Sequence, residues 1–235
     1  MSFLAEMLWR GLQRIGSDNA ALIETTERTL LLAFSSTAIA LAVGLPLGYL
    51  LGHRASRSRR LGLIVANAGL GLPPVVLGVY LALLLLPQSA LGPLQWTYTL
   101  QAVVLAQTLL ALPIVIALSA AAVLGLPAGL LDQARAFGAH GWRLSVFALR
   151  EARIGVVAAV IAALGSAVAE VGAVVIVGGN IRGATNTLAS TVLLDLAASD
   201  IPGATADIIV LLALVAVGGA VLTVVQQRGR GGALP

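Results

Sequence analysis

Leu100-Gln101-Ala102-Val103-Val104-Leu105-Ala106-Gln107-Thr108-Leu109-Leu110-Ala111-Leu112-Pro113-Ile114-Val115-Ile116-Ala117-Leu118-Ser119-Ala120-Ala121-Ala122-Val123-Leu124 contains no charged residue. A helix needs about 20 apolar residues to cross a hydrocarbon core of about 30 Å, and this run is long enough to do so. Residues 29–52, 61–86, 154–178 and about 207–225 read the same way, with Glu170 the one clear charge in their interiors. These apolar runs are continuous and do not alternate with polar residues, which excludes a closed membrane barrel. The expected fold is all-α: a polytopic helical membrane protein with five transmembrane helices.

The composition of the 235-residue chain agrees, at 59% hydrophobic and 10% charged, with a mean hydropathy of +0.99. A water-soluble fold does not carry that balance on its surface. All 14 basic residues are Arg, set against 10 acids, for a net charge of +4. They are too sparse to track a phosphate backbone, and aromatic residues make up only 4%, so nucleic-acid binding is not expected. The sequence has no Cys, which removes thiolate chemistry and disulfides. His53 and His140 lie in Arg-rich segments and read as solvated side chains, so neither a catalytic centre nor a metal site is expected. Residues 1–17 hold no unbroken apolar core and no small-residue cleavage site, so no cleavable leader is expected.

Arg placement sets the expected orientation, because short cytoplasmic loops keep positive charge. Arg54, Arg57, Arg59 and Arg60 follow the first run, Arg135, Arg143, Arg150 and Arg153 follow the third, and Arg228 and Arg230 follow the fifth. With five spans these ten fall on one side, leaving Arg10, Arg14, Arg28 and Arg182 on the other. The N-terminus is therefore expected outside and the C-terminus inside. The division that follows is an amphipathic segment over residues 1–28, one membrane domain over 29–227 and a cytoplasmic tail over 228–235. In the first segment Phe3, Leu4, Met7, Leu8, Leu12 and Ile15 recur at helical spacing between Glu6, Arg10 and Arg14, the pattern of a helix lying on a membrane surface. Pro46, Pro73, Pro74 and Pro113 interrupt the spans, as is common where a bundle surrounds a pathway.

Residues 125–153 form a long connection on the Arg-rich side. Pro127 is placed to start a helix, and Leu130, Leu131, Ala134 and Phe137 form its apolar stripe. Gly138 ends it, and a second amphipathic helix begins near Trp142 and Arg143. Two short helices about a Gly turn suit a docking surface for a soluble partner, or alternatively a pair of helices lying on lipid.

The run Asp132-Gln133-Ala134-Arg135-Ala136-Phe137-Gly138-Ala139, followed by Trp142, Arg143 and Phe147, resembles the coupling loop of ABC importer permeases. That loop reads Glu-Ala-Ala, three residues, Gly, and later Ile-x-Leu-Pro. Here Asp132 replaces Glu, Gln133 replaces the first Ala, and Arg150-Glu151 stands where Leu-Pro would be. Gly71-Leu72-Pro73-Pro74-Val75 is similar to a segment of molybdate and tungstate permeases. Residues 169–183, with Thr185, Thr187 and Leu188 after them, are similar to the tungstate-type branch of the same group.

The resemblance implies a type I ABC importer permease in a prokaryotic cytoplasmic membrane, carrying a tetrahedral oxyanion such as tungstate or molybdate. It implies a second copy of this chain, two ATP-binding subunits and an extracytoplasmic substrate-binding protein. ATP and magnesium would sit on the ATPase and no cofactor in this chain, which has no Gly-rich loop ending in Gly-Lys-Ser/Thr and no Lys. Coupling to the ATPase would fall to Asp132 as a polar contact or helix cap, Ala134 as a small packing position, Phe137 as an apolar knob and Gly138 as the turn, with Gln133, Ala139 and Arg143 beside them. Plain helix packing is the alternative for each.

Pathway or gate residues would be Pro73, Pro74, Glu170, Asn180 and Arg182. Glu170 inside a span reads as a structural or gating hydrogen bond, or as a protonated acid, with Arg182 as a candidate partner. Asn180 and Arg182 would assist anion entry, dock the binding protein or cap a loop, and residues 188–196 would form a short outer helix. Competing functions are a secondary anion transporter and an ABC permease for sulfate or phosphate.

Overall fold

The computed structural model describes residues 3–17, 19–53 and 57–230. Among these residues it is all-helical, with no strand. The helices are α1 (Phe3–Ser17), α2 (Asn19–Gly52), α3 (Arg57–Leu70), α4 (Pro74–Leu85), α5 (Leu100–Leu124), α6 (Leu130–Ala136), α7 (Gly141–Glu151), α8 (Arg153–Val168), α9 (Gly172–Gly178), α10 (Leu188–Ala197) and α11 (Ile201–Arg230). Arg54 of the expected basic loop and residues 231–235 of the expected tail lie outside the described residues.

Among the described residues three helices are long and apolar enough to cross a membrane: Ala20–Gly52, Leu100–Leu124 and Ile201–Val221. The count rises to five if α3 with α4, and α7 with α8, each make one bent span. The stretches expected to be continuous over 61–86 and 154–178 are each broken. At 71–73 the cause is local, since Pro73 and Pro74 cannot donate to the preceding turn. The second break, between Val168 and Gly172, contains no proline and is held by the tertiary contacts described below. Toward the N-terminus, α2 starts at Asn19, so a long helix already covers the last third of the segment expected to be surface-bound.

The described residues divide into two compact units, one drawing on residues 3–36, 73–108 and 165–218, the other on 37–72, 109–164 and 219–230. In the second unit, α2 and α5 approach closely along a row of small residues. A Cβ added at Gly44 would lie 2.7 Å from Val115 Cγ1, and one at Gly52 would lie 2.7 Å from Val123 Cβ. Between them, a Cβ at Gly48 would overlap the Ser119 hydroxyl. Glycines one turn apart let two backbones approach where lipid supplies no hydrophobic drive, and dispersion contacts then hold them. The same unit has a core of Tyr49, Val123, Ala134, Leu144, Ala148 and Ala152, which joins the ends of α2 and α5 to α6 and α7.

Candidate functional site

In the first unit two short helices, α4 and α9, pack against each other at their starts. Pro73 is the extended residue before α4, and Pro74 takes a first-turn position, where a missing N–H costs nothing. A Cβ at Gly172 would meet Val75 Cγ2 at 2.8 Å, and one at Gly78 would meet the Ala173 Cα at 2.9 Å. The start of α4, just after Pro73, and the start of α9, just after residues 169–171, therefore meet through glycine.

Glu170 stands at this junction and is buried. Its Oε1 accepts from the Ala173 backbone N–H at 2.9 Å, capping the first turn of α9. A carboxylate there satisfies a donor that has no partner within the helix. The Ala167 carbonyl in the preceding turn is served as well, because Gln107 Nε2 donates to it at 3.0 Å while Ser36 Oγ donates to Gln107 Oε1 at 3.2 Å. Two fully buried polar side chains from other helices thus steady the break. Arg182 is not the partner of Glu170. It pairs with Asp195 at 2.6 Å, and the two line a small cavity together with Asp207, whose Oδ2 is buried without a partner.

The loop after α9 is held by side chains. Asn180 is left-handed at φ 49°, and its Nδ2 donates to Ser190 O at 3.1 Å, which makes it a loop cap. Thr185 Oγ1 donates to Gly178 O and accepts from Ile181 N–H. Thr187 and Ser190 form a reciprocal capping box at the start of α10. Arg28 of α2 reaches across with Nη1 to Asn186 Oδ1 at 2.8 Å and Nη2 to Gly183 O at 3.0 Å. Thr29 Oγ1 beside it accepts from Leu188 N–H at 2.9 Å. Arg28, Gln107, Asn186 and Asp195 were not among the sequence candidates; two charges and two amides at the edges or inside of apolar runs were the only signal.

In the second unit α6 and α7 stand on either side of Gly138, as the spacing predicts. The details differ at the start. Pro127 does not begin the helix, which opens at Leu130 after a left-handed Gly129, and Asp132 caps nothing. Asp132 instead pairs with Arg135, an exposed bond of the kind worth about 0–1 kcal/mol. Ala134 is buried in the core cluster and Ala139 packs against it. Gly138 sits at φ +91° with open space around its Cα, and its carbonyl accepts from His140 Nδ1 at 3.0 Å. Gln133 and Arg143 are exposed. Phe137 is 92% exposed and Trp142 72%. Two aromatics so exposed on one short loop need a covering surface.

The profile of the family described as "Binding-protein-dependent transport system inner membrane component" matches residues 44–230. The chain belongs to that family. Among its relatives, a probable anion ABC transporter permease of Haloferax volcanii is 35% identical over 83% of this chain and 86% of its own length. The tungstate uptake system permease TupB of Peptoclostridium acidaminophilum is 28% identical over 97% of this chain and 100% of its own. A chain of the MetNI methionine ABC transporter, solved in inward-facing conformations, shares the fold with a TM-score of 0.68 at 22% identity, covering 87% of this chain and 95% of that one. As an importer permease of this family, the protein is a membrane-embedded transport subunit and not an enzyme. Membership implies an ATPase and a substrate-binding protein as partners.

Proposed function

We propose that this permease forms the pathway of an ATP-driven importer for a tetrahedral oxyanion, tungstate first among them. Two copies of the chain, two ATP-binding subunits and an extracytoplasmic binding protein make up the assembly, set in the cytoplasmic membrane of a prokaryotic cell with five spans and the N-terminus outside. The substrate reading is supported most directly by similarity along almost the whole chain to a permease named for tungstate uptake.

The residues divide the work as follows. Phe137, with Trp142 near it, seats in the ATPase, while Asp132, Gln133 and Arg143 give polar contacts around it. Gly138 fixes the angle of the loop, and Ala134 and Ala139 bind it to the core. Movement of α6 and α7 then reaches α2 and α5 through the shared cluster. The gate is the junction of α4 and α9, where Pro73, Pro74 and the cap by Glu170 let two half-helices shift without breaking hydrogen-bonded turns. Because Glu170 is engaged with a backbone N–H, its charge is turned toward a helix start rather than left bare to repel an anion. Asn180 and Arg182 order the loop that meets the binding protein.

Reconstitution with the ATPase and binding protein in liposomes tests the proposal. Tungstate delivered by the binding protein should raise ATP hydrolysis and accumulate inside. Uptake driven by a proton gradient without ATP would replace it with a secondary transporter, and stimulation by sulfate or phosphate in place of tungstate would overturn the substrate.

A further inference from the structure

The second unit holds a cavity of about 430 Å³ that the transport reading leaves unused. That size falls in the range of about 300–1,000 Å³ found for small-molecule sites. Pro46, Tyr49, Leu50 and Leu144 give it apolar walls, while Arg135 and His53 bring basic groups to it. Arg135 is only half satisfied: Asp132 accepts from Nη1, whereas Nη2 is buried with no hydrogen-bond partner. A guanidinium nitrogen withdrawn from water is unfavourable until an acceptor reaches it, and an anionic acceptor suits it best. The His53 Nδ1 lies 3.0 Å from the Tyr49 carbonyl, which can only accept, so the proton is on Nδ1. The ring stacks on Tyr49 at 4.4 Å between centroids, which fixes it in the cavity wall.

We propose that this cavity binds the phosphate headgroup of an anionic membrane lipid. The phosphate accepts from Arg135 Nη2, and the first methylenes of the acyl chains lie along Pro46, Leu50 and Leu144. Both halves of the cavity point to this occupant. A free oxyanion would use the guanidinium and leave the apolar walls unfilled, whereas a lipid uses both. The position agrees, since Pro46, Tyr49 and Leu50 belong to the last turns of α2, a helix long and apolar enough to cross the membrane. Leu50 is 55% exposed there. Bound in this place, the lipid bridges the end of α2 to both helices of the coupling loop and ties that loop to the bilayer.

Native mass spectrometry of the full chain, purified in neutral detergent and mixed with phosphatidylglycerol or phosphatidylcholine, tests this. The wild type should retain one phosphatidylglycerol and release phosphatidylcholine. Arg135→Gln should lower the phosphatidylglycerol-bound fraction about tenfold, equivalent to about 1.4 kcal/mol, while Arg150→Gln, exposed and outside the cavity, should leave it unchanged. Circular dichroism establishes that each variant is folded. If Arg135→Gln is not, Leu50→Asp supplies the second reading, because a carboxylate on the apolar wall should abolish retention. Equal retention of the two lipids, retention unaffected by both cavity variants, or displacement of the lipid by inorganic phosphate alone would overturn the proposal.

Discussion

Arg28 and Asn186 lie 158 residues apart in the chain and are joined at 2.8 Å, with Nη1 donating to Oδ1. The same guanidinium holds Gly183 O and pairs with Glu24, with only 9% of its side chain exposed. One α2 residue thereby fixes the loop between α9 and α10. Arg28→Ala should cost about 1.5–3 kcal/mol, the range for hydrogen bonds to a charged group. Hydrogen exchange at residues 181–187 should accelerate accordingly. Arg28→Lys should recover only part of the loss, since an ammonium cannot fork to two acceptors in the same way.

Glu170 is assigned a capping role, and the two obvious variants separate that role from one that needs its charge. Glu170→Gln keeps an acceptor for the Ala173 N–H and should retain most stability and transport. Glu170→Ala removes the cap and should cost about 0.5–2 kcal/mol, read as a fall in thermal unfolding temperature in detergent. If Gln is as damaging as Ala, the negative charge is required and the capping assignment fails.

At Gly48 the neighbouring helix leaves no room for a side chain. Gly48→Val should therefore force α2 from α5 and destabilise by about 1–3 kcal/mol, the usual cost of overpacking. Gly16, with open space around it, is the control, and Gly16→Ala should change little. Urea or thermal unfolding of the two variants side by side checks the contrast.

Gly138 is left-handed but uncrowded, so a substitution acts through the backbone and not through size. Gly138→Ala and Gly138→Val should both strain the turn, by about 1–3 kcal/mol. In the reconstituted importer both should lower the oxyanion carried per ATP hydrolysed. An unchanged ratio would remove the turn from the coupling mechanism.

Phe137 touches little of its own chain, so Phe137→Ala should leave unfolding within about 0.5 kcal/mol of wild type. If Phe137 is the knob that the ATPase receives, the same change should weaken co-purification of the ATPase by at least about tenfold, as loss of a central aromatic anchor does. A stable variant that still retains the ATPase would exclude the assignment.

The charge-free runs made the long helices legible because lipid imposes a length and an apolarity that no other environment demands. The two helices about Gly138 were legible for a related reason, as the apolar spacing and the glycine are both local. The break at 71–73 carried its own signal in Pro73-Pro74. The break at 169–171 did not, since what holds it open is Gln107 from another helix and the space that Gly172 leaves for Val75. Partner choice was the least legible level. Arg182 stood 12 residues from Glu170 and shared its neighbourhood in the sequence, yet Asp195 is its partner, because the loop turns through Gly179 and Asn180 at positive φ and carries Arg182 toward α10.

The seam of Gly44, Gly48 and Gly52 against Val115, Ser119 and Val123 bears on how work travels through the second unit. Long flexible side chains between two helices act as a compliant layer, absorbing a push as rotamer changes. At these glycines the first side chains met are the short ones of Val115, Ser119 and Val123, and Val123 continues directly into the cluster that seats α6 and α7. If the ATPase pushes on Phe137, the displacement therefore meets a stiff seam within this unit, whose slack has been removed at its narrowest point, instead of dissipating in its packing.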